Sequence, residues 1–113
     1  MKILNKTVRK EEILEEAETV FGGEMVKAVA DIGRGIMGID AGLHADIEQA
    51  LLNDGSRQDD LWGFNIYPNE EGEDLIEFDS MINIRPRQGN RSRNVESVEV
   101  RVKIMEVVKK WIQ

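Results

Sequence analysis

LWGFNIYPNEEGEDLIEFDSMINI, residues 61–84, decides how this chain is read. LWGFNIY, 61–67, is aromatic and β-branched and stops at Pro68, LIEFDSMINI, 75–84, is a second run of the same kind, and NEEGED between them is turn material. The pair predicts an antiparallel hairpin. Alternation sorts the side chains: Trp62, Phe64 and Ile66 share one parity and read as core, while Leu61, Gly63, Asn65 and Tyr67 share the other. In 75–84, Ile76, Phe78, Ser80, Ile82 and Ile84 fall on one face, and Glu77, Asp79, Met81, Asn83 and Arg85 on the opposite one. The expected product is a half-wet sheet whose open face carries Asn65 and Tyr67 beside a polar row of Asp79, Asn83 and Arg85.

Upstream, LHADIEQALLN, 43–53, spaces Leu43, Ile47, Ala50 and Leu51 as a helix does, with acids in the first turn and Gly55 past its end. MVKAVADI, 25–32, alternates, GRG interrupts it and IMGID follows, so the turn chemistry favours a second hairpin. A helix through 25–32, which alanine and methionine favour, is the alternative. KEEILEEAETVF, 10–21, places Ile13, Leu14, Ala17, Val20 and Phe21 on one face of an amphipathic helix ended by Gly22 and Gly23. Lys2 to Leu4 suits a short edge strand.

At the other end, Val98, Val100, Val102 and Ile104 alternate, whereas Ile104, Met105, Val108, Trp111 and Ile112 follow a helical period. Glu96 and Glu99 early, Lys109 and Lys110 late, and the absence of a turn residue favour one helix from about 96 to 112 over a strand at 98–104. The predicted order is α-β-β-α-β-β-α: a single α+β domain over 1–113, with about four antiparallel strands in two hairpins and three helices mostly on one face.

The 113 residues are enough to bury about 65% of the unfolded surface around one core. A content of 41% hydrophobic and 33% charged residues is that of a globular chain. With no cysteine, disulfides and thiolate chemistry are excluded, and a reducing compartment is the natural setting. Neither a signal peptide nor a membrane span is visible, so a cytoplasmic location without membrane contact is expected. The net charge of −7 argues against binding of polyanions by the surface as a whole. GRGIMG, 33–38, lacks the spacing of a dinucleotide fingerprint, and no cofactor or metal motif stands out.

LHADIEQALLNDGSRQDDLWGFNIYPN, continued by IEFDSMINIRPRQGNRSR, resembles a family of short prokaryotic proteins described only as a domain of unknown function. The blocks LWG, NIY, FDS and QGNRS carry the likeness, which extends over nearly the whole chain. It implies a compact domain of about this length. It transfers no activity, substrate or catalytic residue.

The functional clue lies in charge placement. Residues 70–79 carry six acids and no base, whereas 85–93 carry four of the eight arginines and no acid. In RPRQGNRSR, Arg85, Arg87, Arg91 and Arg93 supply planar donor forks that match phosphate or carboxylate, with Gln88 and Asn90 as selective groups and Gly89 allowing a backbone nest. The expected function is a binding module that recognises a phosphate-bearing ligand, RNA or an acidic protein surface. The plainer account pairs these arginines with the preceding acids, in the same chain or in a second copy, which would make a homo-oligomer. The single histidine, His44, lies near Asp40 and Asp46 in sequence and is the candidate acid or base of a phosphate- or phosphodiester-handling enzyme, although a lone histidine at a helix start is usually structural.

Overall fold

The computed structural model describes residues 2–13, 15, 25–39 and 42–113. Their element order is β1 (Lys2–Ile3), α1 (described at 10–13 and 15), β2 (Val26–Asp31), β3 (Ile36–Ile39), α2 (His44–Asn53), β4 (Leu61–Ile66), β5 (Ile76–Glu77) and α3 (Val98–Trp111). This is the predicted α-β-β-α-β-β-α order with the short edge strand in front. Leu14, Ala17, Val20, Phe21 and the glycine pair expected to end the first helix lie outside the described residues, as does Asp40.

All neighbours in the sheet are antiparallel, in the order β1-β3-β2-β4-β5. The segment 25–32 is a hairpin strand and not a helix. Its four-residue turn is held by Asp31, whose Oδ1 accepts from the amides of Gly33 and Arg34, both at 2.9 Å. An aspartate that satisfies the amides two and three residues on fixes a turn locally, which outweighs the helical preference of alanine and methionine.

Strand parity decides what each face meets. Val26, Ala28, Ala30, Met37, Ile39, Trp62, Phe64 and Ile66 form one buried cluster with Ile13 of α1 and with Ile104, Val107 and Val108 of α3. Burying a side chain such as Phe64 contributes about 2–3 kcal/mol. On the opposite face, Val29 and Leu61 pack under Ile47 and Leu51 of α2. Two helices thus share one face and α2 takes the other, so the Leu61–Gly63–Asn65 face is covered over part of its length and open only beyond the start of α2. The terminal helix is capped by Ser97, whose Oγ accepts from the Val100 amide at 3.2 Å, and Val8 bridges its end through Ile112. Residues 98–104 belong to this helix and not to a strand.

The run 75–84 departs from its pattern. Only Ile76 and Glu77 are strand, a turn of 3-10 helix follows at Met81–Asn83, and the side chain of Phe78 joins the α3 cluster while Ile82 joins the α2 cluster. The chain has crossed over the face of the sheet. Gly63 makes the crossing fit: a Cβ there would lie 2.6 Å from Ser80 Oγ. Asn83 then takes the place of a strand neighbour, its Oδ1 accepting from the Gly63 amide at 2.8 Å and its Nδ2 donating to the Gly63 carbonyl at 2.9 Å. One primary amide thereby satisfies both backbone groups that β5 would have paired.

Candidate functional site: a cleft at the open end of the sheet

Arg85 continues what Asn83 begins. Its guanidinium donates to the carbonyls of Gln58 and Leu61 and stacks over the Trp62 ring, 4.1 Å from its centre. Burial lowers its pKa, while Glu48, Asp59 and Asp60 favour the charged form. Glu48 in turn is pushed up by burial and held down by Arg85. Together, Asn83 and Arg85 close the outer edge of β4, where an exposed strand edge would otherwise offer unpaired groups.

The loop that follows is built from backbone and amide contacts. Pro86–Gln88 form a 3-10 turn that ends on Gly89 at φ +80°, a left-handed conformation natural to glycine, and Arg85 bridges Asn90. Buried Asn90 organises what remains. Its Nδ2 donates to the carbonyls of Asn83, Ser92 and Asn94 at 2.7, 3.1 and 2.7 Å, and its Oδ1 accepts from the Glu96 amide at 2.9 Å. Glu96 receives the amides of Arg91 and Ser92 at 2.7 and 3.1 Å, and the Arg91 amide followed by the Ser92 hydroxyl holds its carboxyl below the usual range. Gln88 Nε2 donates to the Asp59 carbonyl at 3.1 Å.

The residues read as one ligand-binding set therefore divide. Arg85, Gln88 and Asn90 donate to carbonyls within the chain, with the buried Arg85 Nε alone among the guanidinium nitrogens lacking a hydrogen bond. Arg87, with a side chain 82% exposed, reaches only a 3.7 Å ion pair with Asp59, and the Arg91 side chain makes no hydrogen bond or close ion pair among the described residues, only a longer-range attraction to Glu96. Arg93 donates through Nε to Asp79 Oδ1 at 2.6 Å. Of the six acids at 70–79, Asp79 is the one that takes an arginine from this loop in a described ion pair.

Arg93 also leads to a cleft. A concavity of about 380 Å³ brings Arg93 and Asp79 together with His44, Lys27, Asn65 and Glu77, so the histidine and the arginine loop meet there. The sequence placed these residues on separate elements. What unites them is register: Lys27 of β2 pairs with Asn65 of β4, which pairs with Glu77 of β5, so the three side chains form a row across one face of the sheet. The row lies past the point where α2 begins, and His44 is the first residue of that helix.

Within the cleft, His44 Nε2 lies 2.8 Å from the Phe64 carbonyl oxygen. A carbonyl only accepts, so Nε2 carries the proton and Nδ1 is the basic nitrogen. Burial pushes the imidazole below its ordinary value of 6.5; the Phe64 bond and Asp79 oppose this, and Lys27 and Arg93 reinforce it. The orienting group is a backbone carbonyl and not the neighbouring Asp46. Glu77 Oε1 accepts from Asn65 Nδ2 and from the Tyr67 hydroxyl, both at 2.8 Å. Asn65 Oδ1 is buried without a hydrogen-bond partner, and Lys27 Nζ has none among the described residues.

Asn65 was legible from strand parity. Lys27 and Glu77 were missed as site residues, although a lysine inside the apolar strand VKAVAD, on the parity opposite the core, was the available signal. A larger cleft of about 760 Å³ beside α3 is walled by Ile112 of the core and by the half-buried Phe78 and Met105 that pack against it. Two of its polar rim groups, Lys10 and Arg101, already donate to the carbonyls of Glu70 and Val95. Among the described residues, no three histidines or acids converge as a metal site, and no helix is long and apolar enough to cross a membrane.

The chain belongs to the family described as "Protein of unknown function (DUF5674)", whose model matches residues 2–111. No curated protein and no solved structure matches it.

Proposed function

We propose that this chain is a binding module whose site is the His44–Arg93 cleft and whose ligand is a small molecule held by an anionic group. The observation that carries the reading is Lys27: its ammonium has no partner among the described residues, yet it lines the same cleft as Arg93. Two cations around a concavity of this size suit the carboxylate or phosphate of a small molecule. RNA or an acidic protein surface would need a broad positive face, and the net charge of −7, with Glu77 and Asp79 in the cleft, opposes that. Arg93 is the loop's contribution to the site. A cytoplasmic setting is part of the same proposal and is supported by the lack of cysteine.

The test is an NMR titration of the wild type and of the Lys27→Met, Arg93→Gln double variant with acetate and with inorganic phosphate. Saturable shifts at Lys27, Asn65 and His44 in the wild type, weakened at least tenfold in the variant, are expected. Equal binding by both proteins would remove the reading.

One observation favours a second reading, an acid–base enzyme: a neutral, carbonyl-oriented imidazole shares the cleft with Arg93, which would stabilise developing negative charge. It predicts turnover of p-nitrophenyl phosphate or bis-p-nitrophenyl phosphate that His44→Gln abolishes. A wild type without turnover of either ester would dismiss it.

A further inference from the structure

The cleft contains more than a cation pair, and its other groups restrict what the anion is attached to. Asn65 is 6% exposed, and its Nδ2 is committed to Glu77 Oε1 at 2.8 Å, with the Asp79 carbonyl at 3.5 Å. Both neighbours are acceptors, so the amide cannot be turned round, and Oδ1 is the oxygen left without a donor. A buried acceptor without a donor is costly, and the ligand that relieves it brings an N–H or O–H.

Charge points the same way. The lining holds two bases, Lys27 and Arg93, and two carboxylates, Glu77 and Asp79, which sum to zero. A phosphate dianion would gain from the bases and be repelled by the acids. A ligand with one positive and one negative group, and no net charge, meets a complement at each end. In the lining, Leu43 and Met81 are large apolar side chains that stay 59% and 66% exposed, an apolar rim beside the polar groups. Such a rim gives a short apolar group somewhere to pack.

Building on the proposed anion-binding role, we infer that the ligand is a free α-amino acid with an apolar side chain. Its ammonium donates to Asn65 Oδ1 and faces Glu77 and Asp79. Its carboxylate is held by Lys27 and Arg93, and its side chain lies between Leu43 and Met81. The about 380 Å³ of the cleft suits a ligand of this size.

The experiment is isothermal titration of the full chain with L-leucine, L-methionine and L-phenylalanine, each beside its N-acetylated form, its amidated form and inorganic phosphate. At least one free amino acid is expected to bind at least tenfold more tightly than both of its blocked forms and than phosphate. Lys27→Met should weaken that amino acid at least tenfold and leave its amide unchanged; Asn65→Leu should weaken the amide as well, and far-UV circular dichroism checks that each variant is folded. If an N-acetylated amino acid or phosphate binds as tightly as the free amino acid, the inference fails and anion recognition stands. If the amides bind as tightly, or nothing binds, both fail.

Discussion

Arg85 and Arg93 stand on the same loop, and the chain uses them in opposite ways. Arg85 is folded against the sheet, bound to two carbonyls and stacked on Trp62, and it completes the edge of β4 that Asn83 begins. Arg93 makes one ion pair with Asp79 at the rim of a cleft whose floor still carries an unpartnered amide oxygen and, among the described residues, an unpartnered ammonium. Residue type and local density are the same in both places. What differs is whether the surrounding backbone already has its hydrogen bonds. An unpaired strand edge consumes an arginine, whereas a strand row of Lys27, Asn65 and Glu77 leaves one available.

That contrast is open to attack from the structural side first. Asn83→Ala should cost the most, about 3 kcal/mol or more in urea unfolding, because it leaves both Gly63 groups without their partner in a buried place and removes one of the two donors to the Arg93 carbonyl, which keeps the Ser80 amide. A loss below about 1 kcal/mol would mean that a strand neighbour is not being replaced. Arg85→Ala should cost about 2 kcal/mol, from the loss of its donors to the Leu61 and Gln58 carbonyls, of which Gln58 keeps the Leu61 amide, and from the lost stacking on Trp62. Arg85→Lys should recover only part of this, since an ammonium reproduces neither the fork nor the planar contact.

His44 gives an intermediate effect with a definite sign. Its folded pKa lies below the ordinary 6.5, so the unfolded chain binds the proton more readily. Its contribution to stability is complete above about 6.5 and is lost as pH falls from there through the lowered folded pKa. Thermal unfolding from pH 8 to pH 5 should therefore show a decline that His44→Gln flattens; an identical decline in the variant would place the titration elsewhere. The smallest effect belongs to Arg91→Ala, within about 0.5 kcal/mol of the wild type, because its side chain makes no hydrogen bond among the described residues and its attraction to Glu96 is solvent-exposed.

The fold was legible where one rule acted alone. Parity separated Trp62, Phe64 and Ile66 from Leu61, Gly63 and Asn65, and the helical period of 104–112 prevailed over the alternation of 98–104. The run 75–84 was misread past Glu77 because alternation cannot register that Gly63 leaves room for Ser80, or that a side-chain amide at 83 will do the work of a strand. The site was half legible. His44, Arg93 and the open-face Asn65 were named, but their meeting depends on the register of three strands and on where α2 begins, and neither is a local property of sequence. Charge density drew attention to the loop and could not distinguish the arginine that closes an edge from the one that lines a cleft.

The most direct test of that distinction is to follow the arginine Nε–Hε and asparagine side-chain resonances during titration with L-methionine and, separately, with inorganic phosphate. The account predicts saturable shifts at Arg93 and at the Asn65 amide under at least one of the two, with Arg85 unmoved throughout. Shifts confined to Arg87 and Arg91, or a shift at Arg85 equal to that at Arg93, would contradict it.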